Sequence, residues 1–142
     1  MTTPREMLAD CMCTRVRTAA RSVTSSYDEA LRPVGLRATQ LTVLTAVGVE
    51  GSVSITALAE LLGMDRTTLS RNLGPLEKAG LLTVGPEGWR RSRTLEITRK
   101  GRACLREALP LWERAQESIR RKLGEREWSA TRRALDRLAR AS

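Results

Sequence analysis

The most constraining feature of the sequence is a pair of amphipathic segments separated by one short glycine-containing turn. Leucines recur at helical spacing on both sides of the turn, at Leu58, Leu61 and Leu62 and at Leu69, Leu73 and Leu76. Gly63 stands where a helix C-terminus takes a left-handed residue. Ser54 and Asp65 are placed to cap the N-termini of the two helices. Two helices joined by about three residues that include glycine predict a helix–turn–helix.

The second helix of the pair presents hydroxyl and basic side chains on the face opposite its leucines. This face carries Thr67, Arg71, Gly74 and Lys78, and it is flanked by Thr68 and Ser70. Hydroxyl and guanidinium groups hydrogen-bond to phosphate oxygens and to base edges. The alternative is an ordinary solvent-facing helix surface, which usually mixes Glu and Lys more evenly. The pattern therefore favours contact with DNA.

A basic hairpin is predicted directly after these two helices. Residues 81–84 and 94–97 alternate as strands do, and the sequence GPEGWRRSR fills positions 85–93 between them. The glycines and the proline suit a hairpin tip, and three arginines lie beside it. A plain surface hairpin is the alternative, but the position straight after a helix–turn–helix favours a DNA-contacting wing.

A long amphipathic segment precedes the helix–turn–helix. Apolar residues repeat every three to four positions over residues 8–31, so we expect one long helix that ends near Pro33 and Gly35. A second helix is expected over residues 39–47, ended by Gly48 and Gly51. A helix as long as the first cannot bury its apolar face against one small domain, and this predicts a partner helix from a second chain.

A second long amphipathic segment follows the hairpin. Thr98 can cap a helix that runs through Pro110, with a bend, to about Leu123. Gly124 then ends this helix, and a last helix follows it.

Composition narrows the classes of function. The chain has 25 Lys and Arg against 16 Asp and Glu, a net charge of +9, and such a field attracts polyanions. It contains no His, which excludes a His-ligated zinc site and a Ser-His or Cys-His catalytic pair within the chain. No glycine-rich nucleotide-binding loop occurs. We therefore expect no enzyme, no catalytic residue, no metal and no cofactor.

Location is suggested by the cysteines and by hydropathy. Three cysteines without a paired framework fit a reducing cytosol. No run approaches the roughly 18 apolar residues that a membrane-spanning helix requires. We expect a cytoplasmic protein that does not contact a membrane.

At this point the sequence resembles the MarR family of transcriptional regulators over nearly its whole length. The resemblance rests on LRATQ at residues 36–40, LAELLGMDRTTLSRNL at 58–73, LEKAGL at 76–81 and LEITRKG at 95–101. It implies a mostly α fold with a small β wing, in the order helix, helix, strand, helix, helix, strand, wing, strand, helix, helix. It further implies a winged helix–turn–helix DNA-binding domain over residues 36–98 and a helical dimerisation region over 1–35 and 99–142.

The resemblance also implies functional residues. The expected DNA contacts are Arg66, Thr67, Thr68, Ser70 and Arg71 on the recognition helix and Arg90, Arg91 and Arg93 on the wing. One departure concerns the wing, where the family usually has an Asp two residues before an Arg. Here Trp89 stands in place of that Asp, while Arg91 keeps the Arg. A small-effector pocket is implied between the dimerisation helices and the winged domain, with Tyr27 and Trp112 as candidate lining residues.

The expected function is sequence-specific regulation of transcription. We expect a homodimer that binds a near-palindromic operator in double-stranded DNA, and a repressor that a small effector releases. Two alternatives stay open. One is the same scaffold controlled by cysteine oxidation or a thiophilic metal; the other is a basic RNA-associated module, which the scarcity of aromatic stacking residues disfavours.

The thiols Cys11, Cys13 and Cys104 are candidate sensors. On an intact helix, residues two apart point about 200° apart, so Cys11 and Cys13 would diverge. A disulfide would then form between chains, or with Cys104, or require local melting. The structural alternative is that all three are ordinary packed thiols.

Overall fold

The computed structural model describes residues 2–86, 88 and 93–141. The chain is mostly helical with one small antiparallel sheet, as the resemblance implied. Its elements are α1 Pro4–Asp10, α2 Met12–Leu31, a 3-10 turn Arg32–Val34, α3 Ala38–Glu50, β1 Ser52–Ser54, α4 Ile55–Leu62, α5 Arg66–Lys78, β2 Leu82–Val84, β3 Thr94–Ile97, α6 Arg99–Leu123 and α7 Glu125–Ala141. They form two compact units: Leu31–Leu111, and a helical unit of the described residues before and after it.

The expected single long first helix is wrong, because the helix is interrupted at Cys11. Cys11 has extended backbone angles (φ −65°, ψ 113°) and separates α1 from α2. A capping box at Thr3 and Glu6 makes α1 a short unit with its own N-terminal cap. At the break, the Arg15 guanidinium donates to the carbonyl oxygen of Ala9 (2.6 Å). Apolar periodicity does not register a one-residue interruption of this kind.

The second predicted helix is longer than expected. Helix α3 continues through Gly48 and ends before Gly51, whose φ is +78°. Gly48 does not end the helix; it lies inside α3 at a position where the neighbouring side chains leave little room for a Cβ. A Cβ at this position would lie 3.2 Å from Leu105 Cδ1 and 3.3 Å from Ile97 Cδ1.

The helix–turn–helix is confirmed, including its caps. The Ser54 hydroxyl accepts from the backbone N–H of Ala57 (3.1 Å), which fixes the start of α4. Gly63 adopts φ +61° at its end, and the Met64 N–H donates to the Ala59 carbonyl (2.9 Å). Asp65 then caps α5.

One leucine of α4 faces outward rather than into the core as expected. Leu61 is 58% exposed, whereas Leu58 is fully buried. In this eight-residue helix the core is contacted by Leu58, Ala59 and, partly, Ile55 and Leu62. The helical turn places Leu61 about 100° away from Leu62 and off that face.

A three-stranded antiparallel sheet holds the two ends of the helix–turn–helix. Its strand order is β1-β3-β2, with Val53 opposite Leu95 and Leu82 opposite Ile97. Leu95 and Ile97 point inward, as predicted from their alternation. The core of the Leu31–Leu111 unit is aliphatic. Its fully buried large side chains are Leu31, Leu44, Leu58, Leu69, Leu76, Leu82, Leu95, Val43 and Val47.

The two C-terminal helices follow the sequence pattern. The Thr98 hydroxyl accepts from the Gly101 N–H (2.9 Å) and caps α6, which continues through Pro110. Gly124, at φ +79°, separates α6 from α7, and Arg120 pairs with Glu125 across it (2.6 Å). Within the described ranges, no helix is both long and apolar enough to cross a bilayer.

Candidate nucleic-acid interface

The N-terminus of α5 is held by one carboxylate. Asp65 Oδ1 accepts from the Thr68 N–H (2.8 Å), and Oδ2 accepts from the Thr68 hydroxyl (2.7 Å). These hydrogen bonds lower the pKa of Asp65 below its ordinary value. The cap fixes the direction in which α5 leaves the turn. It also engages the hydroxyl of Thr68, a predicted DNA contact, inside the chain.

The two faces of α5 separate as the sequence predicted. Leu69, Leu73 and Leu76 are buried on one face. The opposite face is exposed and consists of Thr67, Arg71, Gly74 and Lys78, with exposed Arg66 and Ser70 at its margins. We call Thr67, Arg71, Gly74 and Lys78 the outer stripe of α5.

The basic side chains of α5 are electrostatically uncompensated. In the part of the chain that the structure describes, no acidic side chain forms an ion pair with Arg66, Arg71 or Lys78. Glu77 is the one acid within α5. An exposed helix face with unpaired cations and hydroxyl groups can hydrogen-bond to both phosphates and base edges. Lys78 thereby joins the residues expected from the sequence.

The C-terminus of α5 is bound by the first turn of α6. Lys100 Nζ donates to the Ala79 carbonyl (2.8 Å), and the Thr98 hydroxyl donates to the Gly80 carbonyl (2.6 Å). The Thr98 N–H donates to the Leu81 carbonyl (3.1 Å). Three successive carbonyl groups are thus satisfied by one turn. We call residues 79–81 with 98–101 the α5–α6 joint; sequence reasoning missed it, because its halves are about 20 positions apart.

The base of the predicted wing is anchored on both sides. The Gly85 N–H donates to the Thr94 carbonyl (2.7 Å), and the Ile55 N–H donates to the Arg93 carbonyl (3.0 Å). The side chain of Arg93 is exposed. The other predicted wing contacts, Arg90 and Arg91, and the departing residue Trp89 lie outside the described residues.

The two candidate effector residues lie in the helical unit. Tyr27 is half-buried, and its hydroxyl donates to Gln116 Oε1. Burial raises the pKa of Tyr27. Trp112 is 36% exposed. The Tyr27 hydroxyl thus has a partner within the chain.

The three cysteines are free thiols with different surroundings. A hydrogen bond with Thr14 lowers the pKa of Cys11, which sits at the break between α1 and α2, while Cys13 is exposed. Burial raises the pKa of Cys104, whose thiol contacts the Val34 carbonyl (4.0 Å). Among the described residues, no group of three or more Cys, Asp or Glu is arranged to hold a metal ion.

The chain is similar to known transcriptional regulators in sequence and in structure. The model of the MarR family matches residues 34–92. The crystal structure of the M. tuberculosis transcriptional regulator MosR is 36% identical, with a TM-score of 0.82, and the alignment covers 94% of this chain and 96% of that one. MosR in complex with DNA is 38% identical, again at 0.82, covering 93% and 96%.

Two further solved structures share the fold. The transcriptional repressor CouR, bound to a 23-mer DNA duplex, is 26% identical with a TM-score of 0.81 and covers 98% of this chain and 99% of its own. Bordetella bronchiseptica BpsR, whose DNA binding is regulated by 6-hydroxynicotinic acid, is 23% identical with a TM-score of 0.82, covering 92% and 95%. No curated protein sequence matches the chain. The helix–turn–helix, its sheet and its full-length likeness to MosR show that this chain belongs to the MarR family of winged helix–turn–helix transcriptional regulators.

Proposed function

We propose that the chain is a homodimeric repressor that binds a near-palindromic operator in the cytoplasm and is released by a small effector. The observation that carries DNA reading is the outer stripe of α5, which is exposed and whose cations have no acidic partner among the described residues. Repression and effector control are supported by relatives: CouR is a repressor, and BpsR responds to 6-hydroxynicotinic acid. Tyr27 and Trp112 remain candidate effector contacts.

The dimer is supported by apolar surface in the helical unit. Neither α1 nor α7 has a single buried residue among those described, although α7 is 17 residues long and amphipathic. The apolar side chains that this unit leaves exposed are Met7, Leu8, Met12, Val23, Trp112, Leu123 and Leu135. Exposed apolar stripes of this extent mark an interface. We assign residues 1–35 and 99–142 to dimerisation and 36–98 to DNA binding.

Substitution of Arg71 tests the recognition-helix assignment. If Arg71 reads a base edge, Arg71→Ala weakens binding to a duplex selected from random sequence by about 1–3 kcal/mol and relaxes base preference. Arg71→Lys keeps the charge but loses the bidentate geometry, so it should retain more non-specific binding than specific binding. Gel shifts of both variants, with a single-stranded RNA competitor, measure this. Wild-type affinity in both variants, or preference for the RNA, would contradict the proposal.

Wing substitution separates backbone binding from base reading. Arg91→Ala should weaken binding to every duplex alike. It should also reduce the slope of log affinity against log salt by about 0.9 for each phosphate group that the variant no longer neutralises. The measurement is a salt titration on the selected duplex and on a scrambled one. A change in base preference would contradict a backbone role for Arg91.

A second mode of control is favoured by the helix break. Cys11 and Cys13 point apart only on an intact helix, and Cys11 is not in a helix. Its lowered pKa increases the thiolate fraction, which is the nucleophile. Peroxide can take two electrons from a pair of thiols, so that one S–S bond forms and two waters are released. We propose this oxidation as an alternative signal that lowers operator affinity.

The cysteine proposal predicts that one pair of thiols carries the response. Mild peroxide or a thiophilic metal should lower the operator affinity of wild type and of Cys104→Ser, because Cys104 has a raised pKa. The Cys11→Ser/Cys13→Ser variant should be insensitive. Fluorescence anisotropy before and after treatment measures affinity, and thiol titration counts the cysteines that have reacted. Unchanged affinity of oxidised wild type would leave the small effector as the mode of control.

A further inference from the structure

Three glycines lie inside helices, and packing explains two of them. In α3, a Cβ on Gly48 would meet Leu105 and Ile97 side chains at 3.2 and 3.3 Å. In α6, a Cβ on Gly101 would lie 2.0 Å from the Leu81 carbonyl oxygen. In α5, a Cβ on Gly74 would meet no described atom within 4 Å beyond its chain neighbours and its own helix backbone. Gly74 is therefore the helical glycine that tertiary packing does not require.

A left-handed backbone conformation does not require glycine at position 74 either. Gly74 does not have a positive φ. Glycine ranks just above proline as the least favourable residue in a helix interior, and Pro75 follows directly. Pro75 supplies one local reason for Gly74, because a Cβ before proline disfavours the helical conformation. It also removes the N–H that would bond to the Arg71 carbonyl. Two helix-weakening residues thus stand side by side in α5.

The position of Gly74 on α5 suggests why a side chain is missing there. Gly74 lies in the outer stripe between two exposed cations, Arg71 one turn before it and Lys78 one turn after it. Glu77 lies off the stripe, about 100° from Lys78 around the helix axis. Eight residues separate Gly74 from Arg66 at the start of α5. At 1.5 Å per residue this is about 12 Å, the width of the DNA major groove.

We propose that Gly74 is the point at which the backbone of α5 rests against a DNA sugar–phosphate strand at the groove edge. Arg71 and Lys78 flank that strand, and the missing side chain lets the helix approach closely and sets its depth in the groove. This inference rests on the proposed DNA-reading role of α5. To that role the inference adds a contact between the α5 backbone and DNA, which is possible because residue 74 has no side chain.

Adding a side chain at position 74 tests the inference. Gly74→Ala and Gly74→Leu are made in wild type and in a Pro75→Ala background, where the proline clash is gone. Affinity for the selected duplex should fall about 5- to 100-fold, more for Leu than for Ala, in both backgrounds. Binding to a scrambled duplex should fall by the same factor, because a sugar–phosphate contact carries no sequence information. In the Pro75→Ala background, Gly74→Ala should raise the thermal midpoint, since Ala is the better helix former.

Gly48→Ala is the matched control, being the same chemical change inside another helix. It should shift the thermal midpoint and leave the DNA affinity of the folded protein unchanged. Unchanged affinity of the Gly74 variants in both backgrounds would overturn the inference, as would a loss confined to the background that keeps Pro75. A loss that alters base preference would overturn the assignment to the sugar–phosphate strand. Failure of wild type to bind any duplex would instead overturn the proposed function, and the inference with it.

Discussion

At the scale of single residues, side chains of the same chemical type differ in their hydrogen-bond partners and therefore in their roles. Arg71 and Lys100 are both exposed cations. Lys100 donates to the Ala79 carbonyl, whereas Arg71 has no acidic partner among the described residues. Lys100 is therefore engaged by the C-terminus of α5, whereas Arg71 stays exposed, as its proposed contact with DNA requires. The surroundings also separate Cys11 from Cys104: a hydrogen bond with Thr14 lowers the pKa of Cys11, and burial raises the pKa of Cys104.

At this scale, the Asp65 cap should make the stability of the protein depend on pH. Its folded-state pKa is lowered, so the stabilisation is present above the unfolded-state pKa and is lost as pH falls through the folded value. Asp65→Ala should lower the thermal midpoint by about 2–4 °C at pH 7, and by less in the acid range where wild type also loses the charge. Asp65→Asn keeps an acceptor for the Thr68 N–H but lacks the charge, so its thermal midpoint at pH 7 should lie between those of wild type and Asp65→Ala. Equal loss from Ala at all pH values would contradict a charged cap.

At the scale of elements, the α5–α6 joint makes the recognition helix dependent on α6. The carbonyls of residues 79–81 all accept from Thr98 or Lys100. A Cβ on Gly101 would lie 2.0 Å from the Leu81 oxygen, so the backbones are in direct contact. Helix α6 is 25 residues long. We therefore expect a displacement of the first turn of α6 to move the end of α5.

Thr98 is the residue through which to test the joint. Its hydroxyl donates to the Gly80 carbonyl and accepts from the Gly101 N–H. Thr98→Val keeps the shape and removes both hydrogen bonds, so it should reduce the free energy of unfolding by about 1–3 kcal/mol. Thr98→Ser keeps the hydroxyl and should reduce it much less. Urea unfolding measures both variants, and a loss for Ser as large as that for Val would contradict the assignment of the joint to the hydroxyl.

At the scale of the whole molecule, the two units differ in how they are stabilised. The Leu31–Leu111 unit has its own aliphatic core, which includes seven fully buried leucines. In the helical unit, the described residues of α1 and α7 include none that is buried. A unit that leaves amphipathic helices uncovered gains its stability from a partner surface. The proposed partner is a second copy of the chain.

Disruption of α7 should therefore change the mass of the particle. We expect wild type to have the mass of a dimer by light scattering at micromolar concentration. Leu135→Asp places a charge on the 50%-exposed apolar side chain of α7 and should shift the protein towards monomer. Leu61→Asp, at a 58%-exposed leucine of α4, is the control and should leave the mass unchanged. A monomeric wild type would rule out the proposed dimer.

The sequence by itself determined the local structure of the DNA-reading region. The caps at Ser54, Gly63 and Asp65 and the buried leucines of α5 depend on residues within one helical turn of each other, so their spacing predicts them. The same holds for the Thr98 cap. The order of these signals was also sufficient to identify the family, because each is set by short-range hydrogen bonding and by helical periodicity.

Only the tertiary structure decided the features that depend on distant residues. Gly48 has the spacing of a helix end but is a packing site, because Leu105 and Ile97 lie against it. Leu61 fits the apolar spacing but lies outside, because the rest of the core packs against Leu58 and Ala59. The interruption at Cys11, bridged by Arg15, and the contact of Lys100 with Ala79 have no signal in local periodicity. In each case a neighbour distant along the chain or a single hydrogen bond sets the outcome, and a pattern read over one or two helical turns contains neither.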